Sequence, residues 1–265
     1  MPVRAMSCHV QVHLLPRFAD PSSCRDADVV IIDVLRATST LSWAFEQGLG
    51  EAIPCVHVED AFAEADRLGR QRTILGGERG GVPIEGFDLG NSPQDYHRDR
   101  VEGRTLVFTS SNGTRALERF SLSRQVLLGA FLNLNALLAF LSERGFPVHL
   151  ACAGTDGEVS GEDVLFAGAV ACGLENLHGS LEPCDSTLLA MDFFRSNSQN
   201  ASSFLATLHN SLGGRNLRRL GLQHDVDFVG QWDMTDVVPR FDATSGRING
   251  MRSSGDSGRV LSAPI

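Results

Sequence analysis

The sequence predicts an α/β protein of three layers, α/β/α, on a largely parallel or mixed sheet. Three observations carry this. Short apolar runs alternate with amphipathic helical segments. Several of these runs open into polar, glycine-containing turns. The run Val29 to Leu35 (VVIIDVL) is apolar at every position but one, as expected of a strand covered on both faces. The 265 residues fit one domain, or two intimate subdomains, over 1–242. The stretch 243–265 is rich in Ser, Gly and Arg and is expected to be a mobile tail.

The elements follow in order. Val10, Val12 and Leu14 alternate with Gln11 and His13, which reads as a half-exposed strand. The VVIIDVL strand leads into a helix over 38–47, with Gly48 as its stop. A strand over 51–58, a helix over 59–68 and a short strand over 73–75 come next. A glycine-dense loop, Gly76 to Pro93 (GGERGGVPIEGFDLGNSP), then ends in Ser92-Pro93, a helix start with Ser as N-cap and Pro at the first turn. Strands over 105–109, 125–128 and 147–152 alternate with helices over 112–120, 134–143 and 160–172. The span 185–212 reads as helical and 225–238 as mixed.

Bulk properties exclude some classes of function. A net charge of −9 and a pI near 5.3 argue against nucleic acid as a partner, because a phosphate backbone demands a basic face. They leave room for a small anionic substrate held by a few local arginines. No apolar stretch approaches the ~20 residues of a membrane span, and the first residues lack the apolar core of a signal peptide, so a cytoplasmic protein is expected. The six cysteines show no C-x-x-C spacing and are expected to be free thiols. Chain size allows a homodimer.

In open α/β sheets ligands bind beyond the carboxyl ends of the strands. Polar residues gather there: Asp33 to Thr38, Gly76 to Arg79, Thr109 to Arg115, and Cys152 to Gly157 followed by Glu162-Asp163. Asp33, Glu78, Asp88, Glu162 and Asp163 are hard oxygen donors suited to Mg²⁺. Arg36, Arg79 and Arg115 can make bidentate bonds to phosphate or sulfonate. The Asn112-Gly113-Thr114 helix start offers backbone N–H groups to an anion. Structural readings stand beside these. Asp163 follows Ser160 by three residues, the spacing of a capping box. Asp88 has the reading of a loop-fixing Asx residue, and Asn112 that of a simple N-cap. Asp33 is different, because a charge in an apolar strand costs several kcal/mol unless paired or metal-bound. His9 and His13 are expected to be solvated and His149 to be a satisfied, partly buried histidine. Cys152 lacks a neighbouring base. The D-x-D-x-T, C-x5-R, R-H-G and P-loop motifs of several known classes of phosphate-handling enzyme are absent.

Five motifs in order resemble the 2-phosphosulfolactate phosphatases of coenzyme M biosynthesis: Asp33-Val34-Leu35-Arg36-Ala37-Thr38; Gly76-Gly77-Glu78-Arg79; Gly86-Phe87-Asp88-Leu89-Gly90-Asn91-Ser92-Pro93; Asn112-Gly113-Thr114; and Cys152-Ala153-Gly154 with Glu162-Asp163. The resemblance implies a Mg²⁺-dependent phosphatase that converts 2-phospho-3-sulfolactate to 3-sulfolactate and phosphate. On this reading Asp33, Glu78, Glu162 and Asp163 are candidate metal ligands, and Asp33, Arg36, Glu78 and Arg79 the catalytic group. Thr38, Asn112, Gly113, Thr114 and Arg115 are candidate substrate contacts. Two alternatives stay open: a non-catalytic anion-binding or regulatory protein, and a metal-dependent lyase acting on a 2-hydroxy acid.

Overall fold

A computed structural model describes residues 8–142, 145–252 and 261–262. The strands in chain order are β1 (Cys8–His13), β2 (Asp28–Ile32), β3 (Glu51–Pro54), β4 (Thr73–Arg79), β5 (Val82–Pro83), β6 (Thr105–Thr109), β7 (Gln125–Gly129), β8 (Val148–Cys152), β9 (Leu181–Pro183), β10 (Val237–Asp242) and β11 (Arg247–Arg252). The helices are α1 (Ala37–Glu46), α2 (Val58–Leu68), α3 (Arg98–Val101), α4 (Gly113–Arg119), α5 (Leu134–Ser142), α6 (Gly161–His178), α7 (Asp185–Asn197), α8 (Ala201–Asn210), α9 (Leu212–Arg219) and α10 (Gln223–Val229). Among the described residues no helix is long and apolar enough to cross a membrane.

The α/β class is as expected, and the sheet is mixed. Its order is β5-β4-β6-β3-β11-β10-β7-β2-β8-β1-β9. Strands β4, β6 and β3 are mutually parallel, as are β7, β2, β8, β1 and β9. The hairpin β10–β11 joins the two sets, antiparallel to β7 on one side and to β3 on the other. Three successive reversals make the two parallel sets run in opposite directions.

The packing shows how these opposed sets cooperate. Each gives one face to a common apolar cluster that includes Ile31 of β2, Ile74 of β4, Phe108 of β6, Leu41 and Phe45 of α1, and Phe120 just after α4. Burying each such side chain stabilises the fold by about 1.5–3 kcal/mol. The outer faces are covered separately, β1, β2 and β8 by α5, α6 and α7, and β3, β4 and β6 by α2. With both sets closed over one cluster, the residues that follow β2, β4, β6 and β8 reach a single cavity.

Four expectations are corrected. First, the mobile tail does not begin at residue 243: Arg247–Arg252 is β11, paired with β10 through six residue pairs from Val237↔Arg252 to Asp242↔Arg247. Its apolar content is low, but Ile248 is buried, and the two-sided ladder supplies what side chains do not. Residues 253–260 and 263–265 of that tail, and Glu143 at the end of the expected 134–143 helix, lie outside the described residues. Second, β4 extends through Glu78 and Arg79, so these residues sit on a strand end rather than in a free loop. Gly77 makes this possible: with φ of 134°, its position would put a Cβ 1.8 Å from the Thr109 carbonyl oxygen of β6. Third, Ser92-Pro93 opens only a 3-10 turn, Pro93–Asp95, and Ser92 makes no capping bond. Fourth, His9 is exposed as expected but His13 is buried, because β1 lies inside the sheet between β8 and β9.

Candidate active site

A cavity of about 310 Å³ lies where β2, β4, β6 and β8 end. Asp33, Arg36, Glu78, Asn112 and Gly81 line it, with Asn216 and Arg219 from α9.

Asp33 follows β2 directly and stands before the first turn of α1. Thr38 fixes its backbone: the Asp33 N–H donates to Thr38 Oγ1 (3.1 Å), and that hydroxyl lies within donating distance of the Gly129 (2.7 Å) and Asp33 (2.9 Å) carbonyls. Thr38 is thereby occupied with the strand–helix junction and does not line the cavity. Asp33 is 7 % exposed, and its carboxylate accepts a long bond from the Ala37 N–H (3.3 Å). Burial pushes it up to about 7, and the nearby Glu78 adds to the rise. Gly113 keeps room for it, since a Cβ there would stand 2.9 Å from Asp33 Oδ2.

Glu78 is held from two sides. Its Oε1 accepts the Ser111 N–H (2.7 Å) and its Oε2 the Gly81 N–H (2.7 Å). Glu162 and Asp163, in the first turn of α6, sit behind the cavity wall. Glu162 Oε1 accepts the Gly213 N–H (3.2 Å), while its Oε2 is buried with no hydrogen-bond partner among the described residues. Burial raises the Glu162 carboxyl above its usual range. Asp163 accepts the Val34 N–H and the Gly154 N–H, each at 2.9 Å, so it ties the end of β2 to the end of β8. Burial, then Glu162 and Asp33, raise it further still. The capping-box reading of Asp163 is replaced by this bridge, and Ser160 makes no side-chain capping bond.

Arg36 is buried against the cavity. Its Nη1 donates to Asp225 Oδ2 (2.6 Å) and its Nη2 to the Gly81 carbonyl (2.8 Å). The other Asp225 oxygen accepts the Ser92 hydroxyl (2.5 Å) and lies 3.5 Å from His224 Nε2. Ser92, read as a cap, is therefore a brace for this ion pair.

Several predicted contacts lie elsewhere. Arg79 does not line the cavity; it donates to the Val56 carbonyl and the Thr109 hydroxyl (2.6 Å each), strapping β4 to its neighbours. Asp88 accepts the Leu75 N–H (2.8 Å) and faces Arg70, which fits its loop-fixing reading. Asn112 lines the cavity without capping α4. Thr114 is turned back onto Ser110, its N–H donating to the Ser110 hydroxyl (3.2 Å) and its own hydroxyl to the Ser110 carbonyl (2.8 Å). Arg115 is exposed on α4, away from the cavity. Cys152 is fully buried, and burial raises its thiol well above the usual value, which removes it as a nucleophile.

Sequence reasoning missed Asp225 and the α9 wall. The available signal was the run Ser211-Leu212-Gly213-Gly214-Arg215-Asn216, an N-cap followed by two glycines. Ser211 does cap α9, accepting the Gly214 N–H (3.1 Å). A Cβ at Gly213 would fall 2.1 Å from Glu162 Oε1, so glycine is needed for the carboxylate to approach the helix.

The arrangement can bind an anion against Arg36 and Arg219, and it holds acidic oxygens of Asp33, Glu78 and Glu162 that form no direct ion pair among the described residues; Arg36 and Arg215 offset the Asp33 and Glu162 charges only in part. Comparison with known proteins gives this chemistry a context. A family profile described as 2-phosphosulpholactate phosphatase matches residues 14–244. A protein of Caldanaerobacter subterraneus subsp. tengcongensis named "Probable 2-phosphosulfolactate phosphatase" is 35% identical over 216 residues, covering 82% of this chain and 88% of the relative. Proteins with the same name from Clostridium beijerinckii (34% identical; 83% of this chain, 91% of the relative) and Symbiobacterium thermophilum (36%; 83% and 92%) are similarly close.

Proposed function

The chain belongs to the 2-phosphosulfolactate phosphatase family, and from that premise we propose that it hydrolyses 2-phospho-3-sulfolactate, or a closely related small phosphorylated acid, with Mg²⁺ as cofactor. The products are 3-sulfolactate and phosphate. One observation supports this most: Asp33 is buried at the cavity beside Glu78 and Glu162, and Arg36, the nearby cation, is already paired to Asp225. Acidic groups held close together with only partial compensation, from Arg36 and Arg215, suit a divalent cation, and a pure anion binder would gain nothing from them.

The donor set fits Mg²⁺. The oxygens are hard, and Glu162 Oε2 is a buried acceptor with no hydrogen-bond partner among the described residues. Asp33, Glu78 and Glu162 do not form a closed cage, since no such trio has its ligand atoms within 4.8 Å of one another among the described residues. Mg²⁺ is ordinarily held by one or two carboxylates together with water and substrate phosphate, so an open set is the appropriate one. Asp33 and Glu78 would hold the ion, with Glu162 behind them; Asp163, committed to two backbone N–H groups, positions the strands instead. When bound, the ion neutralises charge on the phosphoryl oxygens.

The chain's own groups do the remaining work. Arg36, held by Asp225 and the Gly81 carbonyl, orients the phosphoryl group. Arg219 at the cavity wall, bonded only to Asn216 (3.2 Å) among the described residues, meets the acid end of the substrate. Leu35, Leu217 and Leu220 line the same space and limit water. A panel of phosphate esters tests the proposal. Phosphate release is expected to be fastest with 2-phospho-3-sulfolactate and weaker with 2-phospholactate, which lacks the sulfonate. Release from neither would refute it.

The raised Asp33 carboxyl gives a second expected result. Its folded value, about 7, lies above the ordinary 3.8, so its contribution to metal-free stability is complete below about pH 4 and is lost as pH rises through about 7. Cation binding must displace that proton below pH 7 but not above it. The rise in melting temperature on adding Mg²⁺ should therefore be larger at about pH 8 than at about pH 6. Equal rises at both would contradict the assignment of Asp33 to the ion.

A further inference from the structure

A second cluster of ligating side chains lies apart from the cavity. His13 ends β1, His149 lies in β8, and Cys24 closes the 3-10 turn Pro21–Cys24 that precedes β2. Strands β1 and β8 are adjacent and parallel, with Gln11 opposite His149 and His13 opposite Ala151. The two histidines therefore share one face of the sheet, two residues out of step. Asp20 braces the turn that delivers Cys24, accepting from the Ser22 N–H (2.9 Å). All three side chains are buried, and none lines the cavity of the candidate active site.

The donor atoms converge. His13 Nε2 lies 2.8 Å from His149 Nδ1, and Cys24 Sγ lies 3.3 Å from the same nitrogen. All three ligand atoms fall within 4.8 Å of one another. Hydrogen bonding accounts for this only in part. A neutral imidazole has one N–H and one lone pair, so the His149 Nδ1 that serves the short contact to His13 can at best share itself with the thiol. A cation satisfies all three at once. Zinc-class bonds of about 2.0–2.1 Å to nitrogen and 2.3 Å to sulfur set tetrahedral donor separations of roughly 3.3–3.6 Å, so on binding the Cys24–His149 pair would open by about 0.3 Å and the His13–His149 pair by about 0.5 Å.

We propose that His13, Cys24 and His149 form a buried site for a thiophilic cation of the zinc class, distinct from the phosphatase site. Two imidazoles and a thiolate are the donors such ions select, and a hard ion such as Mg²⁺ is disfavoured there. Burial lowers both histidines, His13 to about 4, so both are neutral and able to ligate at neutral pH. Burial raises the Cys24 thiol, so binding releases a proton from it. The site would tie the turn before β2 to the neighbouring strands β1 and β8, stabilising the sheet without contributing to phosphate release.

Cobalt(II) tests this on the whole chain, after EDTA treatment. One equivalent is expected to bind with a thiolate-to-cobalt charge-transfer absorption in the near ultraviolet. That absorption should vanish in Cys24→Ser and Cys24→Ala and persist in Asp33→Asn and Glu78→Gln. The Cys24 variants should keep phosphate release, and Zn²⁺ should raise the melting temperature of the wild type but not of these variants. Absence of the absorption in the wild type, or its survival in folded Cys24→Ser, would overturn the proposal. Loss of the absorption in Asp33→Asn would instead place the ion at the phosphatase site and overturn it equally.

Discussion

Asp33→Asn is expected to lower phosphate release by about 10³-fold while leaving the fold intact, a loss of the size seen when one electrostatic group is removed from a preorganised site. Asn has nearly the same shape and keeps an oxygen for the Ala37 N–H, so the start of α1 is preserved. What disappears is the negative charge beside Glu78 and Glu162 that a cation needs. The same change removes the cost of a buried carboxylate, and with it the repulsion from Glu78, so the metal-free variant should melt no lower than the wild type at neutral pH. Steady-state kinetics and thermal melts separate the two effects. Activity within a few-fold of wild type would remove Asp33 from the chemistry.

Asp225→Ala carries the largest expected loss of stability. The Arg36–Asp225 pair is fully enclosed, with side-chain exposures of 3% and 0%. Removing one partner leaves a buried guanidinium uncompensated, at a cost of about 3–5 kcal/mol, and strands the Ser92 hydroxyl as well. Urea unfolding at a temperature where the wild type is stable measures this. Phosphate release should fall too, because Arg36 loses its anchor on the cavity wall. A double-mutant cycle with Arg36→Ala isolates the pair: the combined variant should be much more stable than the sum of the single losses implies. Additive losses would show that the two residues act independently.

Much of the strand and helix pattern was legible in the sequence. Apolar runs such as Val29 to Ile32 and Leu106 to Phe108 mark strands because strands covered on both faces cannot carry exposed polar positions. Asp33 was legible for the converse reason, as a charge where burial makes charge expensive. The features that escaped reading depend on long-range pairing. β11 has too few apolar residues to announce itself and is a strand because β10 and β3 flank it. The reversal of the two parallel sets follows from that hairpin and from nothing local. Asp225 belongs to a short helix distant in sequence from Arg36, and no periodicity marks an ion pair spanning 189 residues. His13 reads as a polar strand face until β9 is known to cover the β1 edge.

Glu78 and Arg79 show how far local pattern reaches. Adjacent residues on a strand point to opposite faces, so the sequence that made them look like a functional pair sends only Glu78 into the cavity. The glycines around them serve unequal ends: Gly77 permits contact with β6, whereas Gly81 donates its N–H to Glu78 and its carbonyl accepts from Arg36. The Gly76–Pro93 stretch is thus part strand, part turn: its Glu78 reaches the cavity beside Asp33, and its Ser92 bonds to Asp225.

A cation-dependent phosphatase site built on Asp33 and Glu78 is tested most directly by phosphate release from 2-phospho-3-sulfolactate by the EDTA-treated chain before and after Mg²⁺ is restored. Negligible release before and full release after is the predicted result. Full activity in the presence of excess EDTA, with no gain from Mg²⁺, would contradict it.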